Sequence, residues 1–486
     1  MPVLWLLFDG RDGMSALAPA TGGVSGAVSG FVHRRRRGAE LVLLVLSLIV
    51  GIGAYAAVGL GVKEKVPPDI FGYGTWLVAL LVGAHIAVRF LAPYADPVLL
   101  PLVSMLNGFG LAVIHRLDLA AGLTKKSDAF ARQQLIWMTI GVALFIATLL
   151  FIRDHRILQR FTYTSGLAAV VLLLLPMLPG IGTSINGARI WIHLGPMSFQ
   201  PGEIAKVLLV VCFAGYLVLH RDALALAGRR ILFIDLPRGR DLGPILLMWL
   251  VSLAILVRQH DLGSSLLFFG IFVIMLYVAT ERRGWILVGG GLFLVGAIAA
   301  SRLIAHVHDR VDIWLHPFEH FQTTTGPHSD QLVNGLFGMA WGGLLGRGFG
   351  HGEPWLISYA NSDFIVPAIG EELGLTAIFA LILAYALIVE RGLRTAIISR
   401  DDFGKLLSVG LASSFALQVF VVVGGVTKLI PLTGLTTPFL SYGGSSLVAN
   451  WVIVGLLLRI SDQARRPLPS LPPDDLGSES TQVIKL

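Results

Sequence analysis

The chain has little charge and almost no cysteine for its length. Only 14% of its 486 residues are charged, whereas soluble domains typically contain about a quarter. The single cysteine, Cys212, excludes an intrachain disulfide and any site built from several thiolates. Because apolar residues make up 55% of the chain and the mean hydropathy is +0.76, a large soluble domain does not fit either. The composition therefore predicts an all-α, polytopic membrane protein.

Apolar runs of about 20 residues, enough to cross a bilayer core as a helix, recur along most of the chain. They predict twelve transmembrane helices. The predicted spans are residues 41–61, 72–92, 97–116, 134–152, 161–180, 203–219, 243–258, 262–280, 285–305, 365–389, 405–427 and 443–459.

Basic residues predict which ends of these helices face the cytoplasm, since Lys and Arg near span ends are retained there. On the twelve-helix count they all fall on one side, in residues 33–37, 153–160, 221–240, 281–283, 391–405 and 459–466. This pattern predicts a multi-pass protein of the cytoplasmic membrane with both termini in the cytoplasm. The net charge of +7 then reflects topology and contact with anionic lipid. Because the charges are scattered over short loops, they do not favour nucleic-acid binding.

The two ends of the chain and the outer loops differ from the spans in composition. Residues 1–38 and 462–486 are rich in small, polar or proline residues and are predicted to be disordered. The opposite side of the membrane carries longer loops, among them residues 306–361 after the ninth helix. A loop of that length is usually functional or disordered. Within it, residues 332–345 are apolar enough for a membrane-surface or re-entrant helix.

A run from Gly187 to Lys206 places charged residues in an otherwise apolar stretch. Pro201 is suited to a helix start, and Glu203 then falls in the first turn, where the helix dipole favours it. Lys206 lies on the same face, so a Glu203–Lys206 pair is one interpretation. Ionisable side chains inside a membrane usually mark a functional site, which is the interpretation we favour.

Four further acids lie near predicted helix starts. Asp261 and Asp363 are each explained either as a helix N-cap or as a ligand contact. Glu371 and Glu372 point about 100° apart on a helix, so at least one faces the interior and needs a partner. Arg189 and Lys206 are the predicted partners.

The segment Pro431 to Ser446 combines two prolines and three glycines with hydroxyl side chains, including Ser441 and Tyr442. Such a composition breaks a helix. Broken backbone at membrane depth is tolerated where it lines a cavity or is buried in protein. The segment is therefore predicted to form one wall of a polar cleft.

Together these motifs resemble the SEDS family of RodA, FtsW and SpoVE. They are Gly-Ala-Arg-x-Trp-Ile with Gln-Pro-x-Glu-x-x-Lys, Asp-Leu-Gly-Ser, Asp-Phe-Ile with Gly-Glu-Glu-Leu-Gly, and Pro-Leu-Thr-Gly with Pro-Phe-Leu-Ser-Tyr-Gly-Gly-Ser-Ser. They occur in order between about Asp96 and Arg466. The family's core has ten helices, so the resemblance implies a core at residues 96–461, with the outer loop at 306–361. Residues 39–95 would then be a two-helix N-terminal extension.

The resemblance implies a peptidoglycan glycosyltransferase that joins lipid II units outside the cytoplasmic membrane and releases undecaprenyl pyrophosphate. Such enzymes usually work beside a class B penicillin-binding transpeptidase, and we expect the extension to pack on that partner's transmembrane helix. The reaction needs a carboxylate base and cations for the departing diphosphate. Arg189 and Lys206 are predicted as those cations. The other predicted substrate-binding residues are Gln200, Glu203, Asp261, Asp363, Glu371, Glu372, Ser441 and Tyr442. No metal ligands are predicted, and a divalent cation at the diphosphate is left open.

The catalytic loop departs from the family pattern. The family reads Asp-Pro-x-x-Asp-Pro-x-Gly-x-Gly-Tyr-Gln, and its second aspartate is regarded as catalytic, whereas residues 316–331 are longer and lack that aspartate in register. Glu319 is predicted to act as the base, with Asp330 as the alternative. His316, His320 and His328 are predicted to be solvated, because no ligand spacing links them.

Two other functions remain compatible with these residues. A transporter of lipid-linked precursors would use the same cleft and cations without a base. A catalytically silent scaffold would recruit a transpeptidase through its helix faces alone.

Overall fold

Helices account for most of the computed structural model, which describes residues 36–122, 129–185, 187–195, 197–221, 229–231, 234–236, 239–323 and 326–467. The helices are α1 (Arg37–Lys63), α2 (Ile70–Leu91), α3 (Leu99–Ala120), α4 (Phe130–Phe151), α5 (Thr162–Leu174), α6 (Pro201–Leu219), α7 (Gly239–Arg258), α8 (Leu262–Thr280), α9 (Gly284–Leu303), α10 (Ala305–Leu315), α11 (Asp330–Gly342), α12 (Ile365–Ile398), α13 (Asp402–Val426) and α14 (Gly444–Arg465). Short 3-10 turns lie at His155–Phe161, Leu175–Met177 and Pro354–Leu356.

Eleven spans in the described part of the chain are long and apolar enough to cross a membrane, α5 being counted with its flanking 3-10 turns. The apolar part of α7, Gly243–Arg258, is shorter and completes the predicted twelve. Counted in order, the spans place residues 178–200, 259–261, 304–363 and 427–443 at one end of the bundle, which we call the loop end. The opposite end, with residues 92–98, 152–161 and 399–401, is the basic end.

Two small antiparallel sheets connect the helices. At the loop end, β1 (Gly182–Ile185), β2 (Ala188–Leu194) and β3 (Met197–Phe199) form a three-stranded sheet in chain order, with Thr183 opposite Trp191 and His193 opposite Ser198. Strands β4 (Arg229–Ile231) and β5 (Ile234–Leu236) form a hairpin between α6 and α7. The first sheet leads directly into Pro201, so it fixes where α6 begins.

Helix α12 is broken near its loop end. Gly374 has φ 73° and ψ −177°, which leaves neighbouring backbone groups without helical partners. The re-entrant segment, which we define as residues 343–350, supplies those partners: the amides of Arg347 and Gly348 donate to Glu371 O and Glu372 O at 3.2 and 2.7 Å. In return Leu375 N donates to Gly343 O at 3.0 Å. The break is thus satisfied by protein, as the absence of water in a bilayer core requires.

Helix α11 confirms that residues 332–345 contain a helix, which the sequence analysis predicts as a membrane-surface or re-entrant helix. Its buried residues are Leu332, Val333, Gly335, Gly338 and Gly342, which lie along one face. The glycines allow close approach, because a Cβ on Gly335 would lie 2.8 Å from the Phe364 ring and one on Gly338 would lie 2.8 Å from Ile357. Exposed Phe337 and Trp341 lie on the other face. Helix α11 therefore rests on the loop end of α12 as a short amphipathic rod.

The two-helix extension packs closely on the core. The backbones of α1 and α3 meet where a Cβ on Gly51 would lie 3.2 Å from Gly108 Cα, a small-residue contact typical of membrane helices. At the basic end, buried Glu40 accepts from His85 Nδ1 at 2.9 Å and pairs with Arg37. Charged side chains thus tie α1 to α2 inside the protein.

The C-terminal boundary predicted at residue 462 is wrong. Helix α14 continues to Arg465, and Asp462 is fully buried. Its Oδ1 accepts from Tyr94 N at 2.8 Å, and its Oδ2 pairs with Arg466 at 2.7 Å. Asp462 therefore takes part in buried polar contacts with the loop between α2 and α3 rather than in a solvated tail. Residues 468–486 of the predicted tail lie outside the described residues.

Candidate active site

The centre of the site is a buried ion pair on α6. Pro201 begins the helix and Glu203 lies in its first turn, as the sequence predicts. Lys206 Nζ lies 2.9 Å from Glu203 Oε2 and 3.0 Å from Gln418 Oε1. The amide of Gln418 in turn donates to Thr436 O at 2.8 Å. The pair therefore links α6 to α13 and to the irregular segment that follows it.

The start of α6 also reaches the neighbouring turn and the last helix. Gln200 N donates to Ser445 Oγ at 2.7 Å, and Gln200 Nε2 lies 3.4 Å from Asp261 Oδ2. Asp261 is buried and caps α8 by accepting from Ser264 N at 2.9 Å, so the N-cap interpretation is confirmed. The same carboxylate lies near Gln200 and Glu203, and its role as a ligand contact stays a prediction.

Arg310 of α10 is a cation of this site that the sequence analysis missed. Its guanidinium donates to Leu432 O at 2.9 Å and lies close enough to Asp261 and Asp363 to be attracted by both carboxylates. Trp314 Nε1, one turn on, donates to Lys428 O at 3.0 Å. These two hydrogen bonds hold α10 against the loop that follows α13. No sequence signal distinguished Arg310, because it lies in a loop that is rich in charged residues.

Asp363 does not cap α12, so the N-cap interpretation of this residue is wrong. The residue before the helix is Phe364, whose side chain has no polar atom, and Asp363 lies one position earlier. Its carboxylate instead accepts from Ser362 Oγ at 3.0 Å and from Gln331 Nε2 at 3.4 Å, with Arg310 nearby. Asp363 thus faces the polar side chains of α10 and α11.

Burial changes the acidity of both carboxylates. Burial raises the pKa of Asp261, and the hydrogen bonds from Ser264 oppose that shift. The nearby charge of Glu203 raises the pKa of Asp261 further, while Arg310 lowers it. Burial also raises the pKa of Asp363, against the hydrogen bonds from Ser362 and Gln331 and the charge of Arg310. Carboxyl groups whose pKa is raised in this way are candidates for proton transfer near neutral pH.

Arg189 lies on β2, next to the turn that precedes α8. Its side chain is exposed, with Nη2 3.2 Å from Leu178 O, and its amide donates to Gln259 O at 3.3 Å. The adjacent His260 adopts a left-handed backbone (φ 62°) and contacts Gly187 O through Nδ1 at 3.2 Å. The ring of His306 lies 5.8 Å from that of His260. Arg189 and the imidazoles of His260 and His306 therefore lie beside the turn that carries Asp261.

The predicted partners of Glu371 and Glu372 are wrong. Glu372 Oε1 accepts from Arg116 Nε at 2.7 Å and from Gly350 N at 3.2 Å. Glu371 Oε1 accepts from Glu353 N at 2.6 Å. Arg189 is instead exposed on β2 and Lys206 is paired with Glu203. Arg116 could have been predicted as a partner from the sequence, because it is a cation in an apolar stretch and an intramembrane cation needs an opposite charge.

Ser441 and Tyr442 hold the irregular wall between α13 and α14. Within the described residues, no helix interrupts the chain from Thr427 to Gly443, as predicted. Ser441 Oγ accepts from Thr437 N at 2.9 Å, and Ser441 O accepts from Gln134 Nε2 at 3.0 Å. Tyr442 N donates to Asn361 O at 2.7 Å, and its hydroxyl donates to Gln133. Both residues fasten this wall to α4 and to the outer loop.

Neither predicted base lies among the buried acids. The Glu319 side chain is 76% exposed, with Oε1 3.5 Å from His316 Nδ1. Asp330 begins α11 and accepts from Gln322 N at 2.8 Å, which closes the intervening turn. His320, predicted to be solvated, instead lies 2.9 Å from Asp312 through Nε2. In this conformation the loop therefore presents both acids outside the polar cluster.

An apolar cavity of about 980 Å³ lies away from the polar cluster, between α12 and α13. Its lining includes Tyr385, Val389, Val419, Phe420 and Val423, with Arg394 towards the basic end. No residue of the polar cluster lines it. The cavity suits apolar chains or a helix face rather than a diphosphate.

Comparison with known proteins connects these features to a family. A family profile described as a cell cycle protein, FtsW/RodA/SpoVE, matches residues 97–466. The peptidoglycan glycosyltransferase RodA of Mycobacterium tuberculosis is 45% identical over 454 residues, which cover 93% of this chain and 96% of that protein. The probable peptidoglycan glycosyltransferase FtsW of Geobacter metallireducens is 31% identical over 377 residues, 76% of this chain and 95% of that protein.

Solved structures show the same arrangement of helices. A chain from a peptidoglycan synthase complex, described for its coordination of polymerization and crosslinking, aligns with a TM-score of 0.60 and 27% identity over 76% of this chain and 98% of that one. A mutant of the rod shape determining protein RodA of Thermus thermophilus aligns with a TM-score of 0.53 and 25% identity, over 76% and 97%. With a profile match over most of the chain and a relative 45% identical over nearly all of it, the chain belongs to the RodA/FtsW/SpoVE family.

Proposed function

We propose that this protein is a peptidoglycan glycosyltransferase that polymerises lipid II into glycan strands. The observation that carries the proposal is the cluster at the loop end of the bundle, where Lys206 and Arg310 lie beside the acids Glu203, Asp261 and Asp363. Cations suit a departing diphosphate, and a carboxylate suits the deprotonation of an attacking sugar hydroxyl. The names of the relatives support the same activity.

The proposed chemistry is a displacement at the anomeric carbon of one lipid II. The sugar hydroxyl of a second molecule attacks, its proton passes to a carboxylate, and the bond to the diphosphate breaks. Arg189 is free to reach a diphosphate because its side chain is exposed. Arg310, which donates to Leu432 O and lies near Asp261 and Asp363, is the second proposed cation for the diphosphate. Lys206 is buried, and its Nζ already donates to Glu203 Oε2 and Gln418 Oε1. We therefore propose that Lys206 adds positive potential to the site without binding the diphosphate directly.

The identity of the base stays a proposal with three candidates. Glu319 and Asp330 are favoured by their place in the catalytic loop of the family. Asp363 is favoured by geometry, since it is held between Gln331 and Arg310 and burial raises its pKa. For Glu319 to act, residues 316–323 have to move towards the polar cluster, and for Asp330 to act, its carboxylate has to leave the hydrogen bond from Gln322 N. Asp363 needs no such movement.

The site is proposed to face the outside of the bacterial cytoplasmic membrane, with both termini in the cytoplasm. The distribution of basic residues supports this orientation, because the basic end carries Arg153, Arg156, Arg160 and Arg400 near its span ends. Lipid II displayed at the outer surface would then reach the cleft between α6, α10 and the irregular wall. Glycan strands would emerge on the side where they are crosslinked.

A class B penicillin-binding transpeptidase is the proposed partner. The solved relative belongs to a complex that coordinates polymerization with crosslinking. Two apolar faces are available for a partner's single transmembrane helix: the exposed side of α1 and α2, with Leu46, Trp76 and Phe90, and the cavity between α12 and α13. The sequence analysis favours residues 41–92. Crosslinking from photoreactive side chains at Leu46 and Phe420 would decide between them.

The test is glycan polymerisation from purified lipid II by the reconstituted protein, with a related family member assayed in parallel. We expect Asp363→Asn to abolish polymer, with Glu319→Gln and Asp330→Asn compared beside it. Arg310→Ala and Arg189→Ala should raise the KM for lipid II, because each removes a cation proposed to bind its diphosphate. Asp402→Asn, an exposed change at the basic end, is the matched control for a lost carboxylate.

The outcome separates the enzyme from its alternatives. Loss of polymer with any one of the three acid variants, while Asp402→Asn stays active, would identify the base. If the unmutated protein makes no polymer while the related enzyme does, the glycosyltransferase proposal fails. Movement of a lipid-linked precursor across vesicles would then favour the transporter, and its absence the scaffold.

A further inference from the structure

The two-helix extension lies outside the family match, which starts at residue 97, yet its loop end touches the backbone of the re-entrant segment. Gly61 of α1 abuts Phe349: a Cβ at residue 61 would collide with the carbonyl oxygen of Phe349. Reciprocally, a Cβ on Gly350 would lie 2.5 Å from the carbonyl carbon of Gly61. Only glycine permits this backbone-to-backbone contact, so α1 and the segment fit together without room for a side chain.

The segment that Gly61 contacts is itself bonded to the broken helix α12. The amides of Arg347 and Gly348 donate to carbonyls of α12, and Gly350 N donates to the carboxylate of Glu372. A displacement of the segment would leave these buried donors and acceptors without hydrogen-bond partners, which is unfavourable in an apolar environment. The position of the segment is therefore coupled to its contact with α1.

A second contact of the extension is made by Tyr55 with α3, next to the residue that pairs with Glu372. Tyr55 of α1 stacks on His115 with ring centroids 4.5 Å apart, and on Tyr73 of α2 at 4.0 Å. His115 is the neighbour of Arg116, which pairs with Glu372. The extension thus contacts α3 at the residue before Arg116 and contacts the segment at Gly350, whose amide donates to Glu372.

The segment continues directly from α11, whose other end reaches the polar cluster. Helix α11 ends at Gly342, where a Cβ would collide with Gly370 O of α12. At its start, Gln331 Nε2 donates to Asp363 Oδ2 at 3.4 Å. A rod of 13 residues therefore connects the segment seated by Gly61 to the amide that holds Asp363.

We propose that the loop end of α1 is a positioning element for the active site: Gly61 seats the re-entrant segment, and the segment sets the position of α11 and hence of Gln331 against Asp363. Gly61 and Tyr55 are positioning residues and do not touch substrate. The consequence for catalysis rests on the proposed glycosyltransferase activity. The consequence for the segment does not.

The matched pair Gly61→Ala and Gly53→Ala tests the proposal, because a Cβ at Gly53 of the same helix meets no atom within 4 Å. Amide hydrogen exchange of the full-length protein should show lost protection at Gly346, Arg347, Gly348 and Gly350 in Gly61→Ala only. Amides of α8 should keep their protection in both variants. In the polymerisation assay Gly61→Ala should lower kcat by about ten- to a hundredfold, with KM within about twofold, since the cations that bind the diphosphate are untouched.

Tyr55→Leu provides an independent variant that adds no bulk. It removes the stack on His115, and we expect a weaker loss of protection at the same amides. Equal exchange in Gly61→Ala and Gly53→Ala would overturn the proposal, whether or not the protein polymerises lipid II. Lost protection at the segment with unchanged kcat in an active protein would overturn the link to catalysis. If the unmutated protein is inactive, the proposed function fails. Amide hydrogen exchange then still tests whether Gly61 positions the re-entrant segment.

Discussion

Arg116 Nε lies 2.7 Å from Glu372 Oε1, although 256 residues separate the two in the chain. Both side chains are 4% exposed, so the pair is buried between α3 and the break in α12. The carboxylate also accepts from Gly350 N, and Arg116 Nη2 donates to Gly352 O at 3.2 Å. One ion pair thus fixes a transmembrane helix, a broken helix and the re-entrant segment.

Removing one partner of this pair should strongly destabilise the protein. We expect Glu372→Ala to lower the free energy of unfolding by about 3–5 kcal/mol, because Arg116 would remain buried without a counter-charge. Thermal unfolding in detergent measures the effect. Arg221→Ala, which breaks an exposed pair with Asp402, should cost at most about 1 kcal/mol. Equal effects of the two substitutions would contradict a buried, structural role.

A side chain added at the break in α12 should destabilise the protein, whereas one added at a glycine in open space should not. Gly374 has a positive φ, and a Cβ there would collide with the backbone of Gly346. We expect Gly374→Ala to reduce the melting temperature markedly, through both backbone strain and displacement of the re-entrant segment. Gly290→Ala on the exposed helix α9 meets no atom within 4 Å and should be neutral or slightly stabilising. Unfolding curves of the two variants compare them directly.

The affinity for lipid II should depend on pH through His306. Burial lowers the pKa of His306, and the charges of Arg310 and His260 lower it further, against Asp309. A diphosphate bound beside Arg310 would favour the protonated ring and raise that pKa. KM should therefore fall as the pH is lowered from about 7 to about 6, by up to about tenfold per unit for one proton. His306→Gln should flatten this profile, whereas His308→Gln, on an exposed side chain that contacts Ser301 O, should leave it unchanged.

Stability in acid should depend on Asp401 at the basic end. Burial alone would raise the pKa of Asp401, but the hydrogen bond and charge of His155, the Gly404 amide and Arg156 outweigh it and lower the pKa to about 2. Since the folded pKa lies below the unfolded value of about 3.9, the stabilisation of about 2 kcal/mol is present above pH 4. It is lost as pH falls from about 4 to about 2.

Melting temperatures between pH 6 and pH 2 test this expectation. Asp401→Asn should lower the melting temperature at pH 6 and remove the slope between pH 4 and pH 2. The neighbouring Asp402→Asn serves as control, because Asp402 is exposed and its ion pairs within the described residues are with the exposed side chains Arg221 and Lys405. An unchanged acid slope in Asp401→Asn would show that other carboxylates dominate.

Local patterns predicted the parts of the site that depend on neighbours in the chain. Pro201 and Glu203 at the start of α6 and the cap formed by Asp261 follow from helix-end chemistry over three or four residues. The Glu203–Lys206 pair follows from helical periodicity. Asp363 was interpreted by the same local rule and the interpretation failed, because a half-buried carboxylate responds to Gln331 and Arg310 rather than to the helix beside it.

The sequence by itself determined the membrane class, the order of the spans, the polar wall after α13 and the family. Hydropathy, capping and motif spacing are local properties that need no knowledge of packing. Only the tertiary structure decided that Glu372 pairs with Arg116, that Arg310 joins Asp261 and Asp363, and that Gly61 meets Phe349. In an apolar interior a buried charge is stabilised by whichever opposite charge the packing brings within about 3 Å, and a glycine is required wherever two backbones meet. Both conditions depend on residues that are distant in the chain.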